Sequence, residues 1–137
     1  QFTRIMRFDS SQADPRWNGA PHLSCGHRGQ HTNNTYADWE PIMGNTGGYM
    51  MVKKDKYINA GGLNEQYKVC FEDVEFNMVM IKQGFINMYS DTVQCKHYES
   101  LTRKQGIDPA DHAKVLTPFF NSLPMDVKKR LVELPYK

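Results

Sequence analysis

The stretch from Glu72 to Phe85 constrains this chain most. Val74, Met78 and Ile81 recur at i, i+4 and i+7, and Phe85 completes the stripe. That spacing lines apolar side chains along one face of an α-helix. Gly84 is a natural terminator, so the pattern predicts a helix over 72–84. Three carboxylates, Glu72, Asp73 and Glu75, sit in its first turn. There they complement the helix dipole by about 0.3–1 kcal/mol each.

On either side the pattern reads as strand. Tyr49-Met50-Met51-Val52, bounded by Gly47-Gly48 and Lys53-Lys54, has the form of a buried strand. Asp55 then caps a short helical turn, Lys56 to Ala60, which Gly61-Gly62 ends. After the long helix, Ile86-Asn87-Met88-Tyr89 alternates as a half-buried strand does, Asp91 makes a turn, and Val93 to Tyr98 reads as another strand. Residues 1–45 are rich in Gly, Pro, Asn, Asp and His and read as loops around one or two short strands, Arg4 to Phe8 among them. From Asp108 the tail reads as two amphipathic helices. Pro109 opens the first, Ser122-Leu123-Pro124 breaks the chain, and Val127, Leu131 and Leu134 share a face of the second. Strands and helices interleave, which makes the class α/β.

Composition excludes several functions. With 137 residues there is material for one core. Hydrophobic residues at 39% and charged residues at 23% are those of a globular protein. Seventeen basic against fifteen acidic side chains leave a net charge of +2, far from the basic stripe of a nucleic-acid binder. No run reaches the apolar length of a membrane span, and no secretory signal is visible. The first residue is Gln1 rather than Met, from which a preceding segment is expected. Cys25, Cys70 and Cys95 are odd in number and widely spaced, as free thiols in a reducing compartment would be. This points to the cytoplasm, free or peripheral at a membrane surface. Asn33-Asn34-Thr35 fits a glycosylation sequon of a kind that arises often by chance.

Three features point beyond packing. A carboxylate of the Glu72-Asp73-Val74-Glu75 run, at a helix N-terminus, can serve as a general base or can merely complement the dipole. His97, in Lys96-His97-Tyr98-Glu99-Ser100, falls at the C-terminal end of an expected strand, where α/β proteins usually bind ligands; a neutral imidazole there suits a divalent transition metal or a structural role. The pairs Gly47-Gly48 and Gly61-Gly62 permit close backbone approach to a ligand and equally make plain turns.

Order and spacing join these features. Thr46-Gly47-Gly48-Tyr49-Met50-Met51-Val52, Gly61-Gly62-Leu63-Asn64-Glu65, Phe71-Glu72-Asp73-Val74-Glu75-Phe76, Gly84-Phe85 and His97-Tyr98-Glu99-Ser100 succeed one another along the chain. The series resembles the C-terminal half of family 2 glycosyltransferases, and Gly26-His27-Arg28-Gly29 is similar to a His-x-Gly segment that some members carry. The resemblance covers roughly residues 22–103. It implies the acceptor-side part of a GT-A fold, a mixed sheet with flanking helices, over 1–107, with 108–137 as a helical extension. It implies an inverting transfer of a sugar from a nucleotide-diphosphate sugar to a carbohydrate acceptor hydroxyl. Asp73 would be the base with Glu72 beside it, and Gly47 and Gly48 would face the acceptor. His97 would help to hold Mn²⁺ or Mg²⁺ against the donor diphosphate, within reach of Arg103 and Lys96.

This sequence also departs from that pattern. It holds no Asp-x-Asp and no nucleotide-binding strand–Gly–helix fingerprint, so the donor half is missing and the chain alone is expected to be inactive. Val79 stands where the family often has Arg, and the absence of Gln-x-x-Arg-Trp argues for single-sugar rather than processive transfer. A sheet cut in this way would expose an edge, from which a homo-oligomer is expected. Two rivals stand beside this reading. One is a non-catalytic carbohydrate-binding or scaffold domain, in which Trp17, Tyr36, Trp39 and Tyr49 stack on sugars. The other is a zinc module built on His22, Cys25, His27 and His31, whose crowding into one short loop is unusual for such sites.

Overall fold

The computed structural model describes residues 4–13, 21–27, 40–68, 71–90 and 109–133. Strand β1 (Arg4–Ala13) pairs antiparallel with β2 (Pro21–His27), running from Arg4 opposite His27 to Asp9 opposite His22, with a shift in register before Ala13 meets Pro21. Where loops around short strands were expected, β1 continues five residues past Phe8 and a second long strand follows it.

Two short strands, β3 (Glu40–Ile42) and β4 (Gly44–Asn45), come next. They are neighbours in sequence but belong to different sheets. β4 lies on the free side of β1, in the order β2-β1-β4, while β3 pairs antiparallel with β5 (Asn87–Tyr89). The switch falls at Met43, which is fully buried. A buried carbonyl leaving a ladder needs a donor. The Asn87 side-chain amide supplies one to Met43 O at 2.7 Å, and gives a second hydrogen bond to Asn77 O at 3.1 Å. Every described strand pairing is antiparallel, so these pairings supply only the antiparallel component of the expected mixed sheet.

The expected strand at Tyr49–Val52 is not formed. Gly47–Tyr49 make a single 3-10 turn, Met50 continues in extended conformation, and Tyr49 and Met51 are exposed. An apolar run has the composition of a strand, but a strand also needs a partner. β1 already has β2 on one side and β4 on the other. Helix α1 (Lys54–Asn59) begins two residues earlier than expected, with Lys53 at its N-cap and Asp55 inside the first turn rather than capping it. Gly61 and Gly62 end it at φ of +88° and +71°, left-handed conformations that suit glycine.

Helix α2 (Glu72–Lys82) follows its sequence pattern closely. Val74, Met78 and Ile81 are all buried, and Gly84 takes φ +89° just past the end. The stripe packs on Leu116 and Phe120 of α3 (Pro109–Ser122) and on Val127 and Leu131 of α4 (Met125–Glu133). Burying each such side chain is worth about 1.5–3 kcal/mol. The two tail helices and the break between them thus fall where the sequence put them, while Leu134 and the expected strand at Val93–Tyr98 lie outside the described residues. α4 also reaches the end of α2: the Arg130 guanidinium donates to Ile81 O at 3.0 Å, beside the bond that carbonyl accepts from Gly84 N, and places a cation at the helix C-terminus. Among the described residues no helix is long and apolar enough to cross a membrane. The architecture is one of mixed helices and antiparallel strands.

Candidate active site

The first turn of α2 and the strand end at 44–47 are built against each other. Asp73 and Asn77 are four residues apart, on one face of the helix. Asn77 is 2% exposed, yet its amide is fully used: Oδ1 accepts from Asn45 N at 3.2 Å, while Nδ2 donates to Asn45 O and to Asp73 O, both at 2.7 Å. By engaging both the N–H and the C=O of Asn45, the side chain does what a further strand would do. Close approach is possible because residue 44 is glycine. A Cβ there would lie 2.5 Å from Asn77 Cγ, far inside contact distance. Asn45 completes the junction through its own amide, which donates to Met88 O at 3.0 Å.

One turn earlier, Asp73 holds the next piece of backbone. Its Oδ2 accepts from Gly47 N at 2.7 Å, and its Oδ1 accepts from Val74 N at 2.8 Å. The carboxylate is therefore fixed in orientation and still partly exposed, and each oxygen keeps a lone pair for another donor. Gly47 and Gly48 are both exposed beside it. A Cβ at Gly47 would meet Asp73 at 3.5 Å, ordinary contact, so glycine is not forced there by space.

The other two carboxylates differ in kind. Glu75 accepts from Asn64 Nδ2 at 3.0 Å and from the Tyr67 hydroxyl at 2.6 Å, which fixes the Gly61–Tyr67 turn to the helix. Burial first, then the hydrogen bond to Glu75 and the Glu75 and Glu72 charges, push the Tyr67 hydroxyl well above the usual phenol range, so it remains a donor at any working pH. Glu75 is thus a structural fastener rather than a carboxylate that only complements the dipole. Glu72 is half-buried, and its Oε2 is enclosed with no hydrogen-bond partner. Directly before it Phe71 adopts φ +75°, a left-handed conformation that costs a non-glycine residue about 1–2 kcal/mol. Strain of that kind clusters at functional sites.

The structure thus brings Asp73 against Gly47, with Glu72 adjacent in the helix and Gly48 next along the turn. His97, Lys96 and Arg103 lie outside the described residues. No group of three His, Cys, Asp or Glu able to hold a metal ion occurs among the described residues. Of the zinc candidates, His22, Cys25 and His27 fall in the continuous strand β2 rather than in a short loop, and His31 is outside the described residues. Two cavities flank α2. One, of about 360 Å³, is bordered by Gly61, Gly62, Asn64 and Glu75. The other, of about 450 Å³, runs between Met50, Met80 and Met88. Asp73 lines neither and is partly exposed. Compared with known proteins, the chain matches no family model, no curated protein and no solved structure.

Sequence reasoning missed Asn45, Asn77 and Asn87, the amides that weld helix to strands. The one signal was polarity inside α2, because Asn77 directly precedes Met78 of the apolar stripe.

Proposed function

We propose that this chain carries the acceptor-side machinery of an inverting, non-processive glycosyltransferase of the GT-A type, with Asp73 as general base. The observation that carries the reading is the carboxylate at the start of α2, oriented by the Gly47 and Val74 amides and open to a substrate on its remaining side. In the proposed step an acceptor hydroxyl hydrogen-bonds to Asp73. As its oxygen forms a bond to the anomeric carbon, the bond from that carbon to the donor's diphosphate breaks and its electron pair leaves with the phosphate. The hydroxyl proton passes to Asp73. Displacement from the opposite face inverts the anomeric centre. Glu72, the next carboxylate in the turn, and the backbone of Gly47 and Gly48 border the place where the acceptor would lie.

His97 would hold Mn²⁺ or Mg²⁺, which would neutralise charge on the departing diphosphate, with Arg103 and Lys96 nearby.

The test is turnover in the longest polypeptide that the reading frame encodes, assayed with a panel of nucleotide sugars for release of nucleoside diphosphate. Asp73→Asn should lower kcat by about 10²- to 10⁴-fold, the usual cost of losing a general base. Retention of more than about a tenth of the wild-type rate at saturating donor and acceptor would overturn the assignment.

A further inference from the structure

Asn45, Asn77 and Asn87 line one part of the larger cavity, but most of its wall is apolar. Met50, Met80, Phe85 and Met88 give it an apolar floor, and Met51 and Ile86 at its rim are 92% and 64% exposed. Single exposed apolar residues are ordinary, but several around one concavity mark a binding surface. Methionine side chains are flexible and polarisable, and so adapt to an apolar chain of irregular shape.

The charge at its mouth has one sign. Among the described residues, Lys53 and Lys56 border the cavity and no Asp or Glu does. The Lys56 ammonium sits 4.1 Å from the centre of the Phe85 ring, so a cation is held directly over the apolar wall. Neither ammonium has a hydrogen-bond or ion-pair partner among the described residues. An apolar trough with two cations at its rim complements a ligand with an apolar body and an anionic head. At about 450 Å³ the cavity has the size of a small-molecule site rather than of a helix-binding groove. A second copy of the chain is the wrong occupant, because a two-fold contact through this face would oppose lysine to lysine.

We propose that this groove binds a free, single-chain anionic amphiphile, with its carboxylate, phosphate or sulfate between Lys53 and Lys56 and its chain along Met50, Met80 and Met88. The site is separate from Asp73 and stands whether or not the chain transfers sugar.

Decanoate, below the concentration at which it forms micelles, is the probe, and ¹³C-methyl methionine NMR is the readout. The chain has eight methionines, of which Met50, Met51, Met80 and Met88 line the groove and Met125 is an exposed control elsewhere. The groove methyls should shift together and saturably while Met125 stays in place. Decyltrimethylammonium, equal in chain and opposite in charge, should bind about tenfold more weakly or worse, as should decanoate to the Lys53→Gln/Lys56→Gln variant. That variant changes only exposed or half-exposed side chains, and its unshifted core Met43 and Met78 methyls report that it is folded. Uniform shifts in all methionines, equal binding of both head-group charges, or undiminished binding by the lysine variant would each overturn the proposal. So would a chain that ignores free decanoate yet co-sediments with phosphatidylglycerol vesicles, since the ligand would then be a bilayer.

Discussion

Replacing Asn77 by Asp changes one atom group and should unfold much of the molecule's margin of stability. The two side chains are nearly isosteric, so no cavity or clash is introduced. What changes is that Nδ2, which donates to Asn45 O and Asp73 O at 2.7 Å, becomes an oxygen facing two carbonyl oxygens. Two hydrogen bonds worth about 1 kcal/mol each are lost, and the introduced oxygen is buried without a donor at a further cost of about 1–3 kcal/mol. A total of about 3–5 kcal/mol is a large part of the 5–15 kcal/mol that holds a domain together. With an unfolding entropy near 0.29 kcal/mol/K for a chain of this length, the melting temperature should fall by about 10–17 °C at pH 7. The sign of the pH dependence is a second check. Burial beside two carbonyls raises the pKa of the introduced carboxyl above its unfolded value of about 3.9. The folded variant therefore keeps its proton longer than the unfolded one, and its stability is greatest below that value and is lost as pH rises through the folded pKa. The gap to wild type should narrow on acidification from pH 7, since the protonated acid can donate one of the two bonds. Thermal melts and urea titrations followed by circular dichroism at pH 7 and after acidification measure this. A loss below about 1 kcal/mol at pH 7 would refute the claim that the Asn77 amide holds helix to strand.

Other parts of the junction give smaller, separable effects. Gly44→Ala places a Cβ 2.5 Å from buried Asn77 Cγ and should cost about 1–3 kcal/mol in chemical denaturation. Glu75→Gln leaves one end of the side chain unable to accept from either Asn64 or the Tyr67 hydroxyl. It should cost about 1–2 kcal/mol, and a spectrophotometric titration should show Tyr67 ionising at lower pH, though still above an exposed tyrosine because burial is the larger cause. Arg130→Ala removes one of two donors on Ile81 O, leaving Gly84 N, and should cost about 0.5–1 kcal/mol, with amide exchange accelerated in the last turn of α2.

Helix α2, its glycine terminator and the two tail helices were legible because periodicity, caps and breakers all depend on neighbours in sequence. The segment Tyr49–Val52 was misread because composition gave it a strand's residues, whereas forming a strand depends on a partner edge that composition does not report. The same limit hid the first sheet, whose long antiparallel pairing comes from a stretch rich in Gly, Pro and Asn. At the site, the pairing of Asp73 with Gly47 spans 26 residues and that of Asn77 with Asn45 spans 32. Only the motif order suggested the first of these contacts, and nothing local marked the second. Glu75 shows the converse. By sequence it was one more acid in a first turn, and only the fold gives it Asn64 and Tyr67 as partners.

Asp73 has a structural duty as well as the catalytic one assigned to it, and a pair of substitutions separates them. Asparagine keeps one oxygen, which can still accept from Gly47 N, so Asp73→Asn should preserve the clamp on the Gly47 turn and lose the bond from Val74 N and the charge at the helix start, together about 1 kcal/mol. Alanine loses the acceptors for both Gly47 N and Val74 N. The carboxylate is partly exposed and water can replace it, so Asp73→Ala should cost about 1–2 kcal/mol. If the residue only clamps, activity should follow stability, with asparagine nearly normal and alanine impaired. If it is the base, the two variants should be equally inactive, about 10²- to 10⁴-fold down, although their stabilities differ. Melting temperature and kcat measured on the same two proteins therefore discriminate. An asparagine variant that is as active as it is stable would leave Asp73 as a fastener of the Gly47 turn and nothing more.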